Sequence, residues 1–216
     1  MNKVNKSQWK VGILLFDRVD VMDFAGPYEV FTYTAYQKED LKKFLVGRDT
    51  QEDQPFLVST VSETGQPIRA NHGLTFQPDF SFKNAPRFDI LVIPGSPLEP
   101  LHHALQNRNL LEWISKHMEE VELMTSVCSG AFFLAKAGLL SGKKATTHWG
   151  AYDHFERQFP DVEIVKNVKF VDDGKIITSG GVSSGINMAL HVVNRLLGSE
   201  MAHTTAKAID FSIQKS

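Results

Sequence analysis

Short apolar runs alternate along the chain with segments whose apolar residues have helical spacing. The runs at 11–16, 88–93 and 122–127 are continuous rather than alternating, which is typical of strands buried on both faces of a parallel sheet. Further strands are predicted at 56–61, 145–147, 162–165, 168–171 and 176–178, with a hairpin from 67–70 to 74–76. Helices are predicted from a first turn at Pro27 to 36, and at 98–105, 110–118, 128–138, 150–159, 184–197 and 200–213. This order predicts an α/β fold, a three-layer α/β/α sandwich around a mostly parallel sheet.

Composition narrows the class of protein without naming a function. A chain of 216 residues with 42% apolar and 22% charged residues fits one globular domain over 1–216. A formal net charge of -2 argues against a nucleic-acid partner. The absence of long apolar runs predicts neither a membrane span nor a secretory leader, and the lone cysteine fits the reducing cytoplasm. The charged segment 37–54 is interpreted as a solvated insertion.

Cys128 is the first candidate for chemistry. It follows the apolar run ending at Val127 and precedes Ser129, Gly130 and Ala131, the layout of a nucleophile elbow between a strand and a helix. A thiol at a helix N-terminus is expected to have a lowered pKa, which favours the nucleophilic thiolate. The alternative is a free cysteine that acts only as a small buried apolar residue.

Asp23 is the second candidate. It follows the first predicted strand, and the carboxyl ends of parallel strands share one edge of the sheet, so it is expected near Cys128. An acid between Met22 and Phe24 would be partly desolvated, which suits it to exchange a proton with the thiol. The alternative is that Asp23 only caps the following helix.

Three further positions lie after predicted strands. Gly95 and Ser96 follow the run 88–93, and their backbone amides are a candidate oxyanion hole or else a plain turn. His148 follows the predicted strand 145–147 and is interpreted as a hydrogen-bonded structural or substrate-binding group near the same edge, with a catalytic base as the alternative. The eight histidines show no H-x-x-x-H spacing, so no metal site is predicted.

The residues assembled so far resemble the ThiJ/PfpI superfamily, the class I glutamine-amidotransferase-like fold. The branches that the sequence resembles most are isonitrile (isocyanide) hydratase and the amidotransferase-like domains of AraC-type regulators. The resemblance rests on Leu14 to Phe16 with Asp23 to Pro27, Ile93 to Gly95, Thr125 to Gly130, Ala137 to Leu140 with Thr146 to Trp149, and Thr178 to Gly181 with Gly185 and Ile186.

The resemblance implies a flavodoxin-like sandwich, a homodimer, a small-molecule substrate and no cofactor. It implies Cys128 as the nucleophile and Asp23 as its acidic partner, where the glyoxalase-like branch carries glutamate. Ser129 stands where protease-like members carry histidine and the hydratase carries threonine, so the hydroxyl of the hydratase is preserved. The expected activity is conversion of an isonitrile to an N-substituted formamide. The alternatives are a non-catalytic small-molecule or redox sensor, or glyoxalase-like activity on reactive carbonyls.

Overall fold

The computed structural model describes residues 8–48, 50 and 54–212. Its elements are β1 (Trp9–Leu14), α1 (Val21–Thr32), α2 (Leu41–Leu45), β2 (Phe56–Ser62), β3 (Ile68–Arg69), β4 (Thr75–Phe76), β5 (Phe80–Ser81), β6 (Ile90–Ile93), α3 (Leu98–Ala104), α4 (Arg108–Glu120), β7 (Leu123–Val127), α5 (Ala131–Lys136), β8 (Lys144–Ala145), α6 (Tyr152–Gln158), β9 (Glu163–Ile164), β10 (Phe170–Asp173), β11 (Ile176–Ser179), α7 (Ser184–Leu197) and α8 (Ser199–Ala208). Short 3-10 helices cover Lys38–Asp40, Asn71–Gly73, Cys128–Gly130 and Trp149–Ala151.

Seven strands form the central sheet, in the order β10-β11-β7-β6-β1-β2-β5. Each neighbouring pair is parallel except β10 and β11, which are antiparallel. Every residue of β6, β7 and β11 is buried, as continuous apolar runs in a doubly covered sheet require. The predicted mostly parallel α/β sandwich is therefore confirmed.

The strand order fixes where the crevice of the sheet lies. The connection from β1 through α1 runs to β2, whereas the connection from β6 through α4 runs to β7 in the opposite direction. Right-handed crossovers then place α1 and α4 on opposite faces, and the chain reverses between β1 and β6. Ligands of open α/β sheets bind outside the carboxyl ends of the strands at such a switch point.

Several element boundaries differ from the sequence predictions. The first helix begins at Val21, so Pro27 lies in its interior rather than in its first turn. Burial of Phe24, Val30 and Phe31 against the sheet holds this helix in spite of the missing proline N–H. The predicted strand 145–147 is limited to β8, which pairs with β9 outside the central sheet. The terminal helix, predicted at 200–213, ends at Ala208. Residue 213 lies outside the described residues.

The charged segment 37–54 is partly described. Its first half forms the 3-10 helix Lys38–Asp40 and the short helix α2, where the Phe44 ring lies 6.4 Å from that of Tyr33. Residues 49 and 51–53 lie outside the described residues.

Candidate active site

Cys128 stands directly after β7, at the first residue of the 3-10 helix that leads into α5. Its φ is 57°, in the left-handed region that non-glycine residues seldom adopt. Two bonds hold this conformation: the Cys128 N–H donates to the Gly180 carbonyl (3.0 Å), and the Thr147 hydroxyl donates to the Cys128 carbonyl (2.8 Å). The backbone therefore has the sharp turn of a nucleophile elbow, and the side chain is only 5% exposed.

Two glycines allow the loop after β6 to touch the elbow. A Cβ on Gly130 would lie 2.1 Å from the Ile93 carbonyl oxygen, and a Cβ on Gly95 would lie 2.4 Å from the Ser129 Oγ. The Ser129 hydroxyl also donates to the Ser96 carbonyl (2.7 Å) and accepts from the Ser96 N–H (2.9 Å). The backbones that follow β6 and β7 are thus in close contact, with no room for a side chain between them.

Asp23 lies within the first turn of α1 and is fully buried. Its carboxyl group accepts the Gly95 N–H (Oδ2 to N, 3.0 Å) instead of an amide of its own helix. Asp20, not Asp23, is the N-cap residue of α1, so a capping role does not account for the Asp23 carboxyl. The ligand atoms of Asp20, Asp23 and Cys128 all lie within 4.8 Å of one another.

The electrostatic surroundings raise the pKa of both reactive groups. Burial raises the pKa of Asp23 to about 7, opposed by the Gly95 N–H and increased by the negative charge of Asp20. Burial raises the pKa of the Cys128 thiol far above its ordinary value, and the Asp23 carboxylate raises it further. Both shifts favour the protonated forms, and the two neighbouring groups titrate as a coupled pair.

The expectation of a lowered thiol pKa is wrong. A helix N-terminus favours thiolate, but here the Ser129 and Val182 N–H groups do not outweigh burial and the nearby carboxylates. These surroundings therefore favour the protonated thiol.

The amides near the thiol are arranged differently from the sequence interpretation. The Gly95 N–H is engaged by Asp23, and the Ser96 N–H by the Ser129 hydroxyl. The N–H of Ser129 faces the Cys128 thiol. Gly95 and Ser96 thus position the acid and the elbow, while Ser129 also supplies a donor at the sulfur.

Val182 is a site residue that the sequence interpretation missed. Its N–H faces both the Asp23 carboxyl and the Cys128 thiol, and its φ of 50° is unusual for a β-branched residue. The turn from Gly180 to Val182 follows β11, the strand beside β7. The glycine-rich sequence of this turn could have indicated the site, because the turn precedes α7 at the same edge of the sheet.

His148 lies beside this turn. Its ring packs against Gly181, and its Nδ1 accepts the Gly150 N–H (3.1 Å). No hydrogen bond links its ring to Cys128 or Asp23 among the described residues. The histidine is therefore placed as a hydrogen-bonded support for the turn and as part of a neighbouring cavity.

Among the described residues, the side chains of Asp20, Asp23 and Cys128 are of types that can ligate a metal ion and lie close together. Asp20, Asp23 and Cys128 offer three ligand atoms, whereas the prediction of no metal considered histidines only. Asp20 accepts a bond from the Asn71 side-chain amide (3.0 Å), and Asp23 accepts one from Gly95. These bonds and the raised pKa values suit Asp23 and Cys128 as a proton-sharing pair with Asp20 as an acidic neighbour. The absence of a metal stays a prediction.

We expect iodoacetamide to alkylate Cys128 slowly near neutral pH, because the thiolate is the reactive form and the raised pKa keeps the thiol protonated. In Asp23→Asn the neighbouring charge is lost, so the alkylation rate should rise at a lower pH. Mass spectrometry across a pH series measures the alkylation rate of each protein as a function of pH. Shielding of the thiol lowers the rate but does not move the midpoint pH, so the difference between the two midpoints reports the difference in thiol pKa. Coincident curves would contradict the coupling of the two groups.

The chain is similar in sequence to known proteins over most of its length. The chain matches the DJ-1/PfpI family over residues 9–195. It is 30% identical over 205 residues to the isonitrile hydratase of Pseudomonas putida, covering 94% of this chain and 78% of that enzyme. It is 25% identical over 198 residues to the HTH-type transcriptional regulator GbdR of Pseudomonas aeruginosa, covering 92% of this chain and 49% of the regulator. The chain thus spans about half the length of that regulator.

Solved structures show the same architecture. A THiJ/PfpI family protein from Pseudomonas syringae superposes with a TM-score of 0.78 at 25% identity, covering 98% of this chain and 80% of that one. The fold and the superfamily expected from the motifs are therefore confirmed. No helix within the described ranges combines the length and the apolar character needed to cross a bilayer.

Proposed function

Because the chain belongs to the DJ-1/PfpI family, we propose that it is a cofactor-free cysteine enzyme that hydrates an isonitrile to an N-substituted formamide. One observation carries the proposal: a buried thiol on a left-handed elbow lies within 4.8 Å of the buried carboxyl group of Asp23. The lone free cysteine supports a cytoplasmic location. Exposed Met22 and Tyr28 on α1 provide apolar surface for a homodimer.

The first step adds the thiol across the terminal carbon of the isonitrile. The sulfur of Cys128 forms a bond to that carbon while its proton passes to Asp23, and Asp23 delivers the proton to the same carbon. The product is a thioimidate, R–N=CH–S, attached to Cys128. Asp23 returns to the carboxylate, and no net proton enters or leaves the site.

The second step hydrolyses the thioimidate. Asp23 takes one proton from water as the water oxygen bonds to the carbon, and it passes this proton to the substrate nitrogen. The hydroxyl of the tetrahedral intermediate then gives its proton to Asp23 as the carbonyl forms and the carbon–sulfur bond breaks. Asp23 returns that proton to the sulfur, and R–NH–CHO leaves. The backbone N–H groups of Ser129 and Val182, which face the sulfur, stabilise negative charge on it at both steps.

The similarity to a transcriptional regulator over 92% of this chain supports a second candidate, a sensing domain without turnover. In that case the crevice at the carboxyl ends of the strands would bind a small molecule, or oxidation of Cys128 would be the signal. Glyoxalase-like chemistry on reactive carbonyls is a third candidate that the same thiol supports.

The deciding experiment measures turnover of isonitriles, methylglyoxal and simple amides by the purified protein, side by side. Chromatography with mass detection identifies the formamide, and Cys128→Ala protein is the control for background hydrolysis. We expect formamide from isonitriles only. Turnover of methylglyoxal alone would favour the glyoxalase-like candidate, and tight binding without turnover would favour the sensor.

A further inference from the structure

A cavity of about 380 Å³ lies where the turn between β3 and β4 meets the segment that follows β1, a size typical of small-molecule sites. The residues that line it are Arg18, Arg69, Ala70, Asn71, His72 and Gly73. Two arginines and a histidine thus surround one small space, and none of the lining residues in the described chain is acidic. This composition contrasts with the formal net charge of -2, and it indicates an anionic ligand.

Arg18 and His72 have backbone conformations that residues with a side chain seldom adopt. Their φ angles are 71° and 65°, in the left-handed region. The described residues include six non-glycine positions with positive φ, and two of the other four, Cys128 and Val182, belong to the reactive site. Strain of this kind persists where the surrounding structure enforces it, and it clusters at functional sites. At Arg18 the backbone N–H donates to the Arg69 carbonyl (2.8 Å), which fixes the strained residue against the turn.

Asn71 orients the polar groups of the cavity and is itself buried. Its side-chain nitrogen donates to Asp20 Oδ1 (3.0 Å) and lies 3.3 Å from His72 Nε2, while its Oδ1 lies 3.5 Å from Arg18 Nη2. An amide nitrogen can only donate, so His72 Nε2 is the acceptor and the hydrogen of the neutral ring is on Nδ1. His72 therefore offers an N–H donor beside the Arg18 guanidinium.

The two guanidinium groups that line the cavity have no acidic partner. A Cβ on Gly73 would lie 3.3 Å from Arg69 Nη2, so this guanidinium packs against the glycine backbone. The carboxylate of Asp17 accepts the backbone N–H of Arg69 (2.8 Å) rather than a guanidinium N–H. Within the described ranges neither Arg18 nor Arg69 forms an ion pair. The cavity is therefore lined by two positive charges without a counter-charge.

We propose that this cavity binds a small oxyanion, a carboxylate or phosphate group, through Arg18, Arg69 and His72. Guanidinium groups bind both anions through paired N–H···O bonds, and these charge-assisted bonds are stronger than bonds between neutral groups. A neutral ligand would leave both positive charges uncompensated. The inference goes beyond the proposed function and does not depend on it, because neither reactive residue lines the cavity. Since Asn71 contacts Asp20, one side chain separates the cavity from the acidic neighbour of the reactive pair.

The test titrates the purified protein with inorganic phosphate and, separately, with acetate in a calorimeter, at an ionic strength held constant with sodium chloride. We expect saturable binding of at least one of the two anions. Arg69→Gln should weaken the affinity about tenfold or more, the usual effect of losing a bond to a charged group. Arg18→Asn should do the same, and asparagine tolerates the left-handed backbone, so the fold is retained. Arg157→Gln is the matched control, because Arg157 is an exposed arginine that does not line this cavity.

The same titrations distinguish the form of the anion and the position of its site. Arginine-dependent binding of phosphate, of acetate or of both would confirm the oxyanion site and identify the group it takes. Cys128→Ala should leave the affinity unchanged, and a loss of binding in that variant would locate the anion at the reactive thiol and overturn the inference. Absence of saturable binding by the wild type, or equal affinities of Arg69→Gln and Arg157→Gln, would overturn it as well. None of these results bears on isonitrile turnover, which tests the proposed function separately.

Discussion

Asparagine in place of Asp23 is expected to slow isonitrile hydration about 100- to 10,000-fold, the usual contribution of general acid–base catalysis. The replacement keeps the shape of the side chain and an oxygen for the Gly95 N–H, but it can neither take the proton from Cys128 nor deliver it to the substrate. Steady-state rates of wild type and variant measure the effect. A variant with near wild-type rates would falsify the proton-transfer role.

The stability of the same variant separates chemistry from structure. The pKa of Asp23 is raised to about 7 in the folded protein, whereas in the unfolded chain it titrates near 4. The folded state therefore binds more protons between these values, and the free energy of unfolding of the wild type should fall as pH rises from about 4 to about 7. Asp23→Asn should lack this decline, on the order of a few kcal/mol. A capping loss would instead cost about 1 kcal/mol at every pH.

Removal of the Cys128 thiol is expected to reduce turnover to the background rate, because no covalent intermediate can form without the sulfur. Cys128→Ala keeps the Cβ and hence the strain of the left-handed backbone. Cys128→Gly removes both the Cβ and the strain. It should be as inactive as Cys128→Ala but at least as stable, since a left-handed conformation costs a non-glycine residue about 1–2 kcal/mol. Rates and melting temperatures of the two variants give the answer. Appreciable hydration by either would exclude Cys128 as the nucleophile.

The centre of the sheet was predictable from the sequence because β6 and β7 are buried on both faces. The continuous runs at 88–93 and 122–127 contain β6 and β7, and the run at 11–16 overlaps β1, which begins two residues earlier. The start of α1 was not predictable, because packing of Phe24, Val30 and Phe31 outweighs the preference of Pro27 for a first turn. The separate pairing of β8 with β9 depends on tertiary contacts that a two-residue strand does not encode.

The meeting of Cys128, Asp23 and Gly95 followed from topology, since each comes after a parallel strand of one sheet. The sign of the thiol pKa shift did not follow, because the sequence shows a helix N-terminus but not the depth of burial or the approach of Asp20. Val182 was missed because it contributes a backbone N–H. A backbone donor has no side-chain signature, and a valine at positive φ is contrary to its usual preference.

The glycine contact between the ends of β6 and β7 has a consequence for engineering new substrates. A methyl group on Gly130 would meet a backbone carbonyl, and one on Gly95 would meet the Ser129 hydroxyl and backbone nitrogen. A saturation library at positions 95 and 130 should therefore return almost only the parent codon among folded clones. Positions 149, 168 and 182 have side chains that extend into open solvent. Directed evolution of this scaffold would find its usable diversity at such exposed positions, with the reactive pair unchanged.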